Sequence, residues 1–486
     1  MNYLNYAAAV FLLIPIAAIA INNICPKPYM EKNFHTLTGT VAVFQIAAAA
    51  YALCAMNANG LTAYDFSILS NLKITGSALF RLTPVSLIFL LCIGMVAFVS
   101  VAVASKTVES MRISYVNLLM TMLIGMNGMV LVKDLFTLYV FLDVVGISSF
   151  VLISLFRSTK ALEGSVKYLV ISEFATIFIL TALAFIFMQT GSLAYQDIGG
   201  VLEGADGSQK NLIYLSIALL IAGFSIKAGA VPFHSWLPDA HQSADTAVSI
   251  LLSSIVIKIA GVYGLFMVVS LFPGVRAVQI ALAAIGVASI LTGALLALRQ
   301  THFKRIVAYS SVSQIGYILL GLSCGTTVGL IGAVAHVFSH AAFKTTLFSN
   351  AAALHEQVGT LDIDKMGGLQ SRMPVTSLSS VVAFLSTAGI PPFAGFWSKL
   401  LIIIALWTSG SAVLGGVALI ASIFTCAYLL RLQKKVFFGE TPEHLKNVTE
   451  VKGGIKFVEI ALTVITSATG ILFPLVLIYL QSRGLI

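Results

Sequence analysis

Charge is what this sequence has least of. Asp, Glu, Lys and Arg make up 10% of its 486 residues, against about 25% in ordinary soluble domains. A soluble chain of this length needs far more charge to cover its surface, so that class is excluded, as are disordered and collagen-like chains. Cysteine is also sparse. The five (Cys25, Cys54, Cys92, Cys324, Cys426) are an odd number, far apart, and no pair has metal-ligand or redox spacing. They read as small core residues rather than a disulfide framework. A Gly-rich dinucleotide fingerprint, a Cys cluster and a haem motif are all missing, so no redox cofactor is expected on this chain. The first apolar stretch has no basic residue before it; the first Lys is Lys27, beyond it. That is the wrong flank for a cleaved signal peptide and the right one for a retained helix.

What is present in excess is apolar: 58% of residues, against about 45–50% in soluble domains. The formal net charge of +9 does not point to nucleic acid, because the basic residues border apolar runs as membrane flanks do. The chain reads as an all-α polytopic membrane protein in contact with lipid, one integral domain over residues 1–486.

Runs long enough to cross about 30 Å of hydrocarbon fall at 6–21, 37–56, 85–104, 113–132, 135–156, 168–188 and 212–230. Seven more fall at 248–271, 278–298, 306–322, 328–354, 378–406, 414–432 and 458–480. Fourteen crossings are therefore expected. Loops after odd-numbered runs hold eighteen Lys and Arg, Lys160, Lys304 and Lys365 among them. Loops after even-numbered runs hold five: Lys73, Arg81, Lys133, Lys210 and Arg276. The positive-inside rule puts the odd loops in the cytoplasm and both termini outside.

Apart from Arg483 near the C-terminus, the remaining basic residues are four Lys inside runs: Lys227, Lys258, Lys344 and Lys399. Asp143 and Glu173 are the acids at the same depth, in the fifth and sixth runs. Each such charge costs about 2.5–3.5 kcal/mol or more at a helix centre, so most are expected to face the bundle interior, pair, or touch water.

A short motif occurs twice. Ala228-Gly229-Ala230-Val231-Pro232-Phe233 returns as Ala388-Gly389-Ile390-Pro391-Pro392-Phe393, with Trp236 and Trp397 close behind. Proline removes a backbone donor and clashes with the preceding turn, so the seventh and twelfth helices should be interrupted there. Broken backbone at membrane depth is tolerated only inside protein or along a wet cavity. The copies lie five helices apart, and an odd number of steps reverses the direction of travel. Two inverted five-helix units are expected, helices 4–8 over residues 113–271 and helices 9–13 over residues 278–432. Inverted repeats with paired broken helices are an ion-transporter architecture.

The stretch from Lys227 to His241, with Pro232, Phe233, His234, Trp236, Pro238 and Asp239, resembles the hallmark of the antiporter-like subunits of respiratory complex I. Large subunits of Mrp-type sodium/proton antiporters and membrane arms of group 4 hydrogenases belong to the same family. Further matches lie at Gln300 to Tyr317, His336 to Lys344, and Gly389 to Lys399. The resemblance covers the fourth to thirteenth helices in order. It implies an ion-translocating role, with Asp143 at the family's helix 5 acid, Lys227 as its lysine partner and Lys258 as a relay lysine. His336 and His340 match the helix 11 histidines, and Lys399 matches the terminal residue of helix 12. Asp143 is one methylene shorter than the usual glutamate, and Ala247 replaces a usual proline, predicting a straighter start to the eighth helix. The resemblance also implies a prokaryotic inner membrane and partners that include further antiporter-like subunits. Fe–S clusters or flavin would belong to those partners.

The chemistry needs no family name. Burial disfavours a charged lysine and a nearby carboxylate favours it. Moving Asp143 relative to Lys227 therefore switches that lysine between holding and releasing a proton. Lys258, His336, His340 and Lys399 offer further stations. Lys344 reads equally as a station or a structural ion pair, Glu173 as a pair with a neighbouring helix, and His234 and His241 as stations or caps. Three function classes remain: a proton- or sodium-translocating subunit of a redox-driven pump or an Mrp-type antiporter, an autonomous secondary transporter, and a membrane scaffold.

Overall fold

The computed structural model describes residues 2–66, 80–202 and 206–482; Lys73 and Arg483 lie outside them. The chain is 82% helical. In order come α1 (Asn2–Ile24), α2 (Lys27–Ala58), β1 (Tyr64–Phe66), β2 (Phe80–Leu82), α3 (Pro84–Thr107) and α4 (Arg112–Leu131). They are followed by α5 (Leu135–Ser154), α6 (Thr159–Thr190), α7 (Tyr195–Ile198), α8 (Gly207–Ala228), α9 (Trp236–Ser243), α10 (Thr246–Leu251) and α11 (Gly264–Leu271). The remainder are α12 (Arg276–Arg299), α13 (Phe303–Ser323), α14 (Thr327–Val358), α15 (Pro374–Ala388), α16 (Ala394–Thr408), α17 (Ala412–Val436) and α18 (Gly454–Ser482). Eleven helices among the described residues are long and apolar enough to cross a membrane. Of the other expected runs, the first has its apolar part at Ala8–Ile24, and the twelfth is divided between α15 and α16. The eleventh is α14, 32 residues long.

Two compact units form. The first holds Met1–Val101, Val108–Lys227 and Ile255–Phe272; the second holds Ala102–Thr107, Ala228–Ser254 and Pro273–Ile486. In the first, a reciprocal amide pair ties three helices: Gln45 Nε2 donates to Asn127 Oδ1 at 2.9 Å, and Asn127 Nδ2 donates to Gln45 Oε1 at 3.1 Å and to the Phe11 carbonyl at 2.7 Å. Without a strong hydrophobic drive between helices in lipid, such bonds and close packing do the joining. In the second unit α12 and α13 approach through glycines. A Cβ at Gly293 would meet the Ser313 nitrogen at 2.5 Å, and one at Gly316 would meet the Gly286 carbonyl oxygen at 2.5 Å.

Both copies of the short motif end a helix. α8 stops at Ala228 and Gly229 takes φ +68°; α15 stops at Ala388 and Gly389 takes φ +83°. The left-handed conformation suits glycine because a Cβ would clash with the following carbonyl. The Val231–Pro232 and Pro391–Pro392 peptides are both cis. The Phe233 amide then donates to the Ala230 carbonyl at 2.8 Å, and the Phe393 amide to the Ile390 carbonyl at 3.3 Å.

The fold is helical as expected, with one short addition: β1 and β2 form an antiparallel ribbon pairing Tyr64 with Leu82 and Phe66 with Phe80. Two expectations need correction. Lys304 is not a loop residue. It lies in the first turn of α13, 4% exposed, and donates to the Ala244 carbonyl at 2.9 Å. Several loops are shorter than expected because α2 and α6, each of 32 residues, run about 48 Å and take in Lys27, Lys32, Lys160 and Lys167, which were expected in loops. α10 begins as an ordinary turn capped by Asp245, but π-helical turns follow at Leu252–Val256 and Lys258–Tyr263. Such bulges recur at functional sites.

Candidate functional site

In the first unit α5, α6 and α8 bring Asp143 and Lys227 onto one group of hydroxyls. Lys227 is 3% exposed and its ammonium donates to Ser172 Oγ at 2.7 Å. One turn along α6, Thr176 Oγ1 donates to Asp143 Oδ1 at 3.3 Å. Gly146 floors the lysine: a Cβ there would stand 3.5 Å from Nζ and 3.7 Å from Ser172 Oγ. The expected direct ion pair is therefore absent among the described residues. The short aspartate reaches Thr176, the lysine reaches Ser172, and the two hydroxyls share one face of α6 at spacing i, i+4.

Lys258 is fully buried at the start of the second π-helical stretch, within electrostatic reach of Cys92 on α3. The pair expected of Glu173 with a neighbouring helix does not form among the described residues. This acid is exposed on the surface of α6 beside Phe174 and Ile177.

In the second unit the titratable groups follow α14. His336, His340 and Lys344 recur every four residues and are each 0% exposed. The His336 and His340 ring centroids lie 6.4 Å apart. His336 Nδ1 sits 2.9 Å from Ser398 Oγ, next in sequence to Lys399. The Lys399 ammonium donates to the Thr387 carbonyl at 2.9 Å and the Ala388 carbonyl at 3.5 Å, with the Tyr317 ring 4.2 Å away. Thr387 and Ala388 close α15, where carbonyls have no helical partner and the helix dipole is negative. The break in this helix thus supplies the cation's acceptors, and Tyr317 adds a cation–π face. Gly389 permits the approach, since a Cβ there would come within 2.9 Å of Lys399 Cδ.

Lys344 is no ion pair among the described residues; its ammonium donates to the Val307 carbonyl at 2.8 Å. The His241 ring is fully buried with its centroid 5.1 Å from that of Phe348, one turn beyond Lys344 on α14. His234 lies apart from this row, its ring centroid 6.3 Å from that of Tyr309. Nearby, Arg305 pairs with Asp239 at 2.7 Å.

Residues 132–425 match the family described as NADH:quinone oxidoreductase/Mrp antiporter, transmembrane. The chain belongs to that family. It is 32% identical over 324 residues to NADH-quinone oxidoreductase subunit N of Desulforudis audaxviator, covering 66% of this chain and 64% of that protein, just under two thirds. It is 32% identical over 337 residues to a Na(+)/H(+) antiporter subunit of Alkalihalophilus pseudofirmus, covering 68% of this chain and 67% of that protein. Among solved structures, a chain of the membrane-bound sulfane sulfur reductase, an archaeal respiratory membrane complex, superposes with TM-score 0.85 at 28% identity over 98% of this chain and 96% of that one. A chain of the Mrp complex from Dietzia shares the fold, with TM-score 0.87 at 24% identity over 98% and 96%. The matched residues 132–425 include Asp143, Lys227, Lys258, the α14 row and Lys399.

Sequence reasoning missed several participants. Ser172 and Thr176 carry a signal, hydroxyls one turn apart in an apolar run. Ser398 sits inside a matched motif. Glu459, at the start of the last apolar run, is an acid that is 0% exposed.

Proposed function

We propose that this chain is an ion-translocating membrane-arm subunit of a multi-subunit complex, moving protons through titratable side chains buried in its two units. The observation that carries the reading is the seating of Lys399: a buried ammonium on the carbonyl end of an interrupted helix, one residue from the partner of His336. Four lysines at membrane depth, each costing several kcal/mol if merely structural, support it further. The wider reading is a redox-driven pump of the complex I or hydrogenase kind. Its electrons would travel on partner subunits holding Fe–S clusters or flavin, and this chain would bind none. The equal identity to a sodium/proton antiporter component supports the second reading, a subunit of an Mrp-type antiporter.

The two breaks, with matching left-handed glycines and matching Phe amide bonds, support two inverted five-helix repeats at 113–271 and 278–432 within fourteen crossings. The basic loops support both termini outside a prokaryotic inner membrane. Glu173, exposed among apolar side chains, gives that face of α6 a reason to meet a polar group of a partner subunit. Lys399→Gln tests the reading. It keeps size and removes the titrating charge, so ion translocation by the assembled complex in proteoliposomes should be lost at normal subunit content. Wild-type translocation by that variant would overturn the reading.

A further inference from the structure

The last helix carries a polar cluster that none of the matched motifs includes. Glu459 on α18 is 0% exposed. Its Oε1 accepts from Asn350 Nδ2 of α14 at 2.7 Å, and its Oε2 lies 3.0 Å from Thr376 Oγ1 of α15. The same Thr376 hydroxyl lies 2.8 Å from Oε1 of Glu450, which is half-buried in the segment before α18. Among the described residues no ion pair reaches either glutamate.

Proton counting decides what this is. A hydroxyl has one hydrogen and cannot donate to two carboxylates at once. Both contacts are satisfied only if one carboxyl carries a proton and donates it to Thr376 Oγ1, while Thr376 donates to the other. Glu450 is the acceptor, because its second oxygen takes the Val375 amide at 2.6 Å and the Thr376 amide at 3.4 Å. These are free N–H groups at the start of α15, where an anion is favoured. Glu459 has no such N–H partners and no cation, and a buried carboxylate without them is costly. The neighbourhood has spare acceptor capacity. Asn350 Oδ1 and Gln433 Oε1 are buried without a hydrogen-bond partner, while Asn350 Nδ2 also donates to Ser379 Oγ at 2.6 Å and Gln433 Nε2 to Ser380 Oγ at 2.6 Å.

We infer that Glu459 is a proton-loading site of the second unit, exchanging its proton with the solvent-facing Glu450 through the Thr376 hydroxyl. In the exchange Thr376 Oγ1 takes a proton from one carboxyl as it gives its own to the other. One proton moves, and no electron does. Inward, Asn350 lies on α14 six residues past Lys344, a rise of about 9 Å, and its unpartnered Oδ1 offers an acceptor to a proton carrier on that side. The site would load the α14 row with protons from the end where Glu450 meets solvent. The loading role and the translocation readouts rest on the translocation reading above; the proton held between Glu459 and Glu450 does not.

The test begins with the unmodified complex, so no variant has to fold. A hydrophobic carbodiimide reacts with protonated carboxyls in apolar surroundings, and mass spectrometry locates the adduct. Glu459 should be modified at neutral pH, less as pH rises, and equally with or without sodium. Modification only under acid conditions would show both glutamates ionised and overturn the proposal, and protection by sodium at fixed pH would replace it with a cation site. Thr376→Val, which removes the hydroxyl and keeps the shape, should slow translocation by about tenfold or more and shift its pH profile, and Glu459→Gln should abolish it. Unchanged translocation in either variant would also overturn it. Labelling does not depend on transport, so a failure here and a failure of Lys399→Gln are separate results.

Discussion

Ser172→Ala probes the contact on which the first unit turns. The buried Lys227 ammonium has Ser172 Oγ at 2.7 Å and the open side of Gly146 beneath it. A hydrogen bond to a charged group contributes about 1.5–3 kcal/mol. If the bond holds Nζ where it exchanges protons with the Asp143 side, its loss lowers the population of that position by the same amount. At about 1.4 kcal/mol per factor of ten, translocation falls by roughly 10- to 100-fold. The alanine side chain fits the space, so the complex should assemble. Ion uptake by proteoliposomes, normalised to subunit content, is the assay, and Ser172→Thr, which keeps a hydroxyl, should restore most of the rate. Wild-type uptake by the alanine variant would refute the relay of hydroxyls between the two charges.

Other outcomes follow from the same contacts. Gly389→Ala forces a left-handed alanine at about 1–2 kcal/mol and places its Cβ 2.9 Å from Lys399 Cδ; a modest loss in melting temperature should accompany a much larger loss of translocation. Lys160→Cys and Lys365→Cys, both at exposed positions, should react with an impermeant maleimide from the cytoplasmic side only. Lys304→Cys should stay silent until the protein unfolds, and reaction of Lys160→Cys from outside would sink the assigned topology. His302, at the head of α13, is held down to about 4, chiefly by burial and then by the positive Lys304 and Arg305. The unfolded imidazole takes a proton near 6.5 while the folded one stays neutral. Its stabilising share is therefore complete above that pH and is lost as pH falls towards 4. A His302→Gln variant should show a flatter dependence of melting temperature on pH across that window.

Much of this was legible because membrane crossing leaves a coarse signal. Twenty apolar residues have few alternatives to a helix in lipid, and a Pro after Gly inside such a run has few alternatives to a break. The intramembrane lysines stood out for the same reason, since nothing cheap puts a charge there. What sequence could not give was the partner of each charge. Lys399 and Lys344 both chose backbone carbonyls, and backbone is the same at every position. Asp143 and Lys227 met through Ser172 and Thr176, which look like ordinary helix hydroxyls until three helices are packed together. Lys304 reads as a loop residue because hydropathy ends a helix where polar residues begin, whereas α13 starts three residues before its apolar run and buries its lysine on the end of α9. Glu459 stands at the edge of an apolar run, where an acid is unremarkable without knowledge of the helices around it. The π-helical turns at Lys258 left no trace in periodicity.

The most direct test of proton passage through these side chains is a double-mutant cycle on Asp143 and Lys227. Translocation by the assembled complex in proteoliposomes is measured for Asp143→Ala, Lys227→Ala and the pair. Each single variant should be crippled, because a buried charge stranded by loss of its counterpart neutralises. The double variant should be little worse than either single one, because groups acting as a unit are not additive. Asp143→Glu should retain most activity. Normal translocation by Asp143→Ala at normal subunit content would contradict the account, and so would fully additive losses in the double variant.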